Sequence, residues 1–281
     1  MKRIKRRRLR PWAFWVFFLL FLSILIITIT ILLSWQQDNK KTEKLTKELE
    51  KIVKTTEKNN TGELINPPEE KTNDYWYYMS VPFLEVDFKE LLKRNPDTVA
   101  FLHVENTNIN YPVVQKDNNN YYLNHAFDQS RNSAGWVFLD YRNDINNLSD
   151  NTIIYGHGRL DNTVFGSLKK VLTNSWQQNK DNYVIQISTP KENMIFQIFS
   201  IYTIQEESYY ITSTFYSEEQ KQTWLDTMKT RNIAPIDTSV NTNDKILTLS
   251  TCENKEEELL YKQNSYEKRV DNYPLSFYCK E

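Results

Sequence analysis

Two residue types able to carry covalent chemistry are scarce in this 281-residue chain: it has two cysteines and three histidines. Cys252 closes the alternating run "KILTLSTC" and opens into the charged stretch "ENKEE". A strand end is a rigid platform beside loops where a substrate can enter. A thiol works as a nucleophile when it is a thiolate, so a neighbouring cation or base is wanted. His157 has a matching context. It follows the buried-looking run "TIIY" and lies between two glycines in "YGHG", which suggests a sharp turn holding an imidazole open at a strand end. An imidazole there can favour the thiolate and protonate an amine leaving group. His103 and His125 read as packed or surface histidines.

A tetrahedral intermediate needs a group that stabilises its oxyanion. Downstream of Cys252 there is one arginine, Arg269, in "YEKRVDNYPLSFYC". A strand starting at Arg269 and running antiparallel to the Cys252 strand sets its guanidinium beside the thiol. That pairing also bears on the alternative of a Cys252–Cys279 disulfide. Ten extended residues span about 33 Å, far beyond the ~7 Å Cα separation a disulfide allows. From residue types and spacing alone, a Cys/His/Arg enzyme and a cysteine buried at a strand end both stand.

These residues need elements to hold them. From Asp74 onward the chain carries eight short runs rich in Val, Ile, Tyr and Phe, separated by Asn, Asp and Gly clusters: "TVAFLHVE", "INYPVVQ", "GWVFLDY", "NTIIYGH", "NYVIQIS", "MIFQIFSIYTI", "KILTLSTC" and "YPLSFYC". Eight strands with few helices predict a mainly β domain closed into a barrel, or nearly so. Two short helices flank them. "DFKELLKRN" is capped by Asp87, and "SEEQKQTWLDTMKTRN" opens on a Ser217/Gln220 capping box with Trp224, Leu225 and Met228 on one face.

Before this domain the composition changes twice. Residues 1–10 carry seven Lys or Arg, and residues 11–33 carry no charge. Twenty-three helical residues reach roughly 35 Å, enough for the ~30 Å bilayer core. No small-residue cleavage site is evident, so the segment is expected to be an uncleaved anchor with residues 1–10 cytoplasmic and the remainder outside. Residues 34–73 read as a stalk. "KKTEKLTKELEKIVKTTEK" is a charged helix with a thin Leu45/Leu49/Ile52 stripe and is expected to be solvated; "NNTGELINPPEE" then breaks it, and the domain is taken as 74–281. Seven of the 35 basic residues sit in the first ten, so the outer portion has an acidic excess of eight, which argues against a nucleic-acid partner. Two cysteines exclude a disulfide-stapled scaffold, and no ligand spacing suggests a metal or other cofactor.

The quoted stretches resemble the sortases, membrane-anchored cysteine transpeptidases of Gram-positive bacteria. "TLSTC" at 248–252 matches the family's cysteine motif, and "NTIIYGHG" at 151–158 its histidine segment. "VENTNINYPVVQKDNNNYYLNHAF", "GWVFLDYRND" and the helix before the cysteine strand look like class B. The resemblance implies an eight-stranded sortase barrel. It implies that Cys252 attacks the Thr carbonyl of a C-terminal sorting signal of a secreted protein, of Asn-Pro-x-Thr type. The acyl-thioester passes to an amine of a cell-wall precursor or a pilin lysine; the alternative is a tethered protease ending in hydrolysis. His157 would be acid and base, and Arg269 would hold substrate or oxyanion. Substrate contacts carried over by matching position are Asn119, Leu123, Tyr210, Ile211 and Ser250. The chain departs from the pattern in the long charged interval between Cys252 and Arg269 and in Pro274 near the last strand's start.

Overall fold

The uncharged N-terminal stretch forms one helix, α1 (Pro11–Glu50), whose most apolar window has a mean hydropathy of 3.1. By length and composition this helix is able to cross a membrane. Its few polar side chains turn inward on the backbone. Ser23, Thr28 and Thr30 each donate to a carbonyl three or four residues earlier, which suits an apolar surround. A computed structural model of the chain describes residues 11–55, 83–204, 208–253 and 275–280. Two units separate between Lys41 and Thr42.

The second unit starts earlier than the charge pattern suggests. Thr42 and Leu49 are buried, Leu49 within the main core, and Asn132 donates to the Thr42 hydroxyl at 3.0 Å. Leu45 and Ile52 pack against the same core. The Leu45/Leu49/Ile52 stripe, expected to be solvated, is therefore an inner face. Burying one leucine contributes about 1.5–3 kcal/mol, enough to hold the end of a charged helix against the domain. Strand β1 (Val53–Thr55) continues the attachment by pairing antiparallel with β2 (Leu84–Val86). The boundary placed near Asn73 falls outside the described residues.

The eight expected strands all form. They are β3 (Thr98–Val104), β4 (Asn110–Val114), β5 (Phe138–Leu139), β6 (Asn151–Gly158), β7 (Val184–Ser188), β8 (Asn193–Thr203), β9 (Ile246–Glu253) and β10 (Leu275–Lys280). They close into a barrel in the order β10-β8-β7-β3-β4-β5-β6-β9, with β10 also paired to β9. Most neighbours are antiparallel; β4/β5 and β6/β9 are parallel. Trp136, Phe101, Phe127 and Phe196 are among the large side chains filling the main core.

Helix α2 (Phe88–Arg94) starts on Asp87, whose carboxylate accepts from Glu90 N–H. A single helical turn, α3 (Asn174–Gln177), follows β6. Helix α4 (Glu218–Arg231) starts on Ser217, which accepts from Gln220 N–H; the Gln220 side chain reaches one residue further back, to Tyr216 N–H. Its Trp224, Leu225 and Met228 are fully buried against Phe199, Tyr202 and Val240. This second core braces α4 on β8 just before the chain enters β9.

Candidate active site

Strands β6 and β9 pair in parallel through eight consecutive positions, from Asn151 opposite Ile246 to Gly158 opposite Glu253. Within that ladder His157 is the register partner of Cys252. Neighbouring strands lie about 4.8 Å apart, so two backbone positions 95 residues apart in sequence become adjacent. The parallel pairing requires a long crossover, which β7, β8 and α4 supply.

The orientation of His157 is set from outside its own strand. Its Nε2 lies 2.9 Å from the Leu123 carbonyl. A carbonyl only accepts, so in the neutral ring the proton sits on Nε2 and the lone pair on Nδ1. Leu123 ends a 3₁₀ turn, Tyr121–Leu123. The ring is half-buried, and burial pushes its pKa below the ordinary histidine value; the bond to Leu123 opposes that shift and the nearby Arg159 charge reinforces it. In a Cys252→Ala variant, which removes the thiol as a variable, proton NMR is expected to show His157 titrating with a midpoint below 6.5. His103 and His125 substitutions assign the resonance. A midpoint at or above 6.5 would contradict a desolvated ring.

The flanking glycines do different work from the turn expected of them. Gly156 lies inside β6, and a Cβ there would meet the buried Phe165 ring at 2.7 Å. The residue allows a close approach of strand to ring. Among the described residues the glycine with a left-handed backbone is Gly135, at φ +60°, packed beneath the imidazole. A Cβ on Gly135 would stand 2.9 Å from His157 Cδ2 and 2.8 Å from the Leu123 carbonyl oxygen.

Arg269 lies outside the described residues, as does the interval 254–268 before it. Strand β10, expected to begin at Arg269, begins among the described residues at Leu275, opposite Thr251. Cys279 pairs with Leu247, five positions from Cys252, or about 17 Å along the strand. The separation is half that expected from a strand starting at Arg269, yet it still excludes a disulfide.

The five candidate substrate contacts fall in two segments and one strand. Leu123 reaches His157 through its carbonyl, and Ser250 is the register partner of Tyr155. The Tyr210 and Thr212 carbonyls on either side of Ile211 accept from Asn151, at the opposite end of β6. Leu123 is 40% exposed and offers its side chain to solvent while its carbonyl holds His157. Asn119 is held at both ends: its amide donates to Asp140 Oδ2 at 3.1 Å, and its carbonyl oxygen accepts from Tyr141 N–H at 3.0 Å. Tyr210 and Ser250 are buried, with the phenol and the hydroxyl 3.1 Å apart. The Ile211 carbonyl accepts from Arg142 at 3.1 Å. His103 instead pairs with Glu105, and His125 stacks on Tyr121 and lies with its Nδ1 2.7 Å from the Tyr121 carbonyl, at the start of the turn that orients His157.

Asp140, Arg142, Tyr155 and Gly135 were not singled out by sequence. Asp140 and Arg142 sit in "LDYRND", which has the composition of a surface turn, yet the Asp140 side chain is wholly buried. The signal was a carboxylate directly following an apolar strand run.

The Sortase domain family model matches residues 102–270. The chain is 36% identical over 166 residues to "Sortase B" of Staphylococcus aureus, covering 59% of this chain and 67% of that protein. It is 32% identical over 180 residues to "Sortase B" of Listeria monocytogenes, covering 61% and 69%. Among solved structures, the "Staphylococcus aureus sortase B-substrate complex" superposes with a TM-score of 0.59 at 32% identity, covering 69% of this chain and 83% of that one. A closed barrel, a histidine in register with a cysteine across a parallel strand pair, and a family match over more than half the chain agree: this chain belongs to the sortase family, in its sortase B branch, and is a cysteine transpeptidase.

Proposed function

We propose that this transpeptidase is held in the membrane by α1 and acts outside the cell on the C-terminal sorting signal of a secreted protein, of Asn-Pro-x-Thr type. The observation that carries the reading is the β6/β9 register that makes His157 the partner of Cys252. The Cys252 thiolate adds to the Thr carbonyl carbon, and the oxyanion is met by Arg269 and a backbone N–H. The C–N bond breaks, and the leaving amine takes the proton from the His157 imidazolium. An incoming amine, from a peptidoglycan precursor or a pilin lysine, gives its proton to His157 and attacks the thioester carbonyl. The C–S bond breaks and the thiolate is restored.

Asn119, Leu123, Tyr210, Ile211 and Ser250 line the path of the signal peptide. Leu123 supplies exposed apolar surface; Tyr210 and Ser250 form the wall behind it. The seven basic residues ahead of the apolar helix favour an N-terminus on the cytoplasmic side.

The test is product analysis by mass spectrometry, with the full chain in detergent, an Asn-Pro-x-Thr peptide, and oligoglycine or a diaminopimelate-type amine. Cleavage after Thr with the acyl fragment joined to the amine is the expected result. Release of the free acid alone at saturating amine would overturn the transfer step. Absence of cleavage, with other sorting sequences turned over, would overturn the signal assignment.

A further inference from the structure

The geometry points to Asp140 as a positioning residue: one buried carboxylate that fixes the two peptide-binding segments and the histidine strand relative to one another. The inference rests on the reading that the signal peptide lies along those segments.

Asp140 follows β5, and its carboxylate accepts five hydrogen bonds. Oδ1 accepts from Arg142 N–H and Nε, each at 2.9 Å. Oδ2 accepts from Arg142 Nη2 at 2.7 Å, the Tyr155 hydroxyl at 2.9 Å and the Asn119 amide at 3.1 Å. Arg142 donates from the same turn, Tyr155 from β6 and Asn119 from the 119–123 segment. Asn119 opens the segment that ends at Leu123, whose carbonyl orients His157. Tyr155 is in β6, two residues before His157. Arg142 carries the connection onward by donating to the Ile211 carbonyl.

The connections close on themselves. Tyr210, beside Ile211, bonds through its hydroxyl to Ser250, and Ser250 is the register partner of Tyr155. Asp140, Tyr155, Ser250, Tyr210, Ile211 and Arg142 therefore form a closed ring of contacts that crosses the β6/β9 pair at Tyr155 and Ser250. A ring of this kind has little freedom to relax piecewise, because each member is held from two sides.

The charge state suits the role. Burial alone would raise the Asp140 pKa, but the Arg142 and Tyr155 hydrogen bonds and the Arg142 charge together hold it below the usual carboxylate range. Burial and the same carboxylate keep the Tyr155 phenol protonated, as a donor. A buried carboxylate needs a charged partner, and the bidentate Arg142 fork supplies it.

Asp140→Asn keeps the shape and removes the charge; its amide also turns a donor toward Arg142, Tyr155 or Asn119. Arg142→Lys keeps a positive charge and loses the fork. The experiment uses both variants of the full chain in detergent, read by amide hydrogen exchange and by steady-state kinetics on the Asn-Pro-x-Thr peptide. Exchange is expected to quicken at least about fivefold in both 119–123 and 209–211 while β7 and β8 are unchanged. KM is expected to rise about tenfold as the two segments loosen, and kcat to fall as well, because the Leu123 carbonyl loses its hold on His157. Unchanged exchange in either segment, faster exchange throughout the barrel, or an unchanged KM would overturn the proposal. If Asp140→Asn does not fold, Arg142→Lys decides alone. If the wild-type chain leaves the Asn-Pro-x-Thr peptide uncut, the signal assignment falls and the exchange result still decides Asp140.

Discussion

Cys252→Ala is expected to fold as the wild-type chain does and to turn over no sorting peptide. The parallel ladder between β6 and β9 is built from backbone pairs, and alanine at its penultimate position leaves all of them available. The chemistry has no substitute. Thr251 and Ser250 are next along the strand, but both are buried, and the Ser250 hydroxyl is engaged by Tyr210. An alcohol is also a far weaker nucleophile than a thiolate at neutral pH. Peptide cleavage should fall at least about 10³-fold, to the assay floor, with far-ultraviolet circular dichroism unchanged. In the wild type without added amine, mass spectrometry should find an acyl adduct on the peptide bearing Cys252, released by hydroxylamine as a thioester is. Adding His157→Gln to Cys252→Ala should cost nothing further, since groups that act as a unit lose their effect together. Cleavage by the alanine variant above a few per cent of wild type would remove Cys252 from the reaction.

The barrel was legible in the chain because each strand advertises itself locally. β-branched and aromatic runs bounded by Asn, Asp and Gly clusters mark all eight strands, and Ser217 and Asp87 mark two helix starts. Cys252 and His157 were legible as a pair of motifs. Their adjacency was not, because register between strands separated by two others and a helix has no local signal. Asp140 shows the limit most clearly. Within "DYRND" its neighbours in sequence are those of a solvated turn, and only Asn119 and Tyr155, from distant segments, make it a buried hub. The α1 end misled for the opposite reason. Its charges are dense, but Thr42, Leu45 and Leu49 form one narrow face, and that face is the one that packs. Gly135 could not be read at all as a site residue, since the demand for a missing Cβ comes from Tyr122, Leu123 and His157.

That demand makes Gly135→Ala the most damaging substitution expected outside the reacting groups. Two costs combine. The backbone sits at φ +60°, where an L side chain costs about 1–2 kcal/mol. The added Cβ would also lie 2.6 Å from the Tyr122 carbonyl oxygen, 2.8 Å from that of Leu123 and 2.9 Å from His157 Cδ2. The glycine side has no room to retreat. The next residue, Trp136, is fully buried, donates its N–H to Tyr122 at 2.9 Å and fixes its indole on the Pro112 carbonyl at 2.9 Å. What gives way is the Tyr121–Leu123 turn with the imidazole it orients. A displacement near 1 Å at a catalytic group can cost about 100-fold in rate, so kcat/KM on a sorting peptide should fall by about that factor. The loss should appear mainly in kcat, since His157 moves a proton in the transition state. Gly135→Asn separates the two costs: asparagine tolerates the left-handed backbone but carries the same Cβ. It should recover part of the lost thermal stability and none of the activity. Near-wild-type kcat/KM in either variant would show that the Leu123 carbonyl does not set the working position of His157.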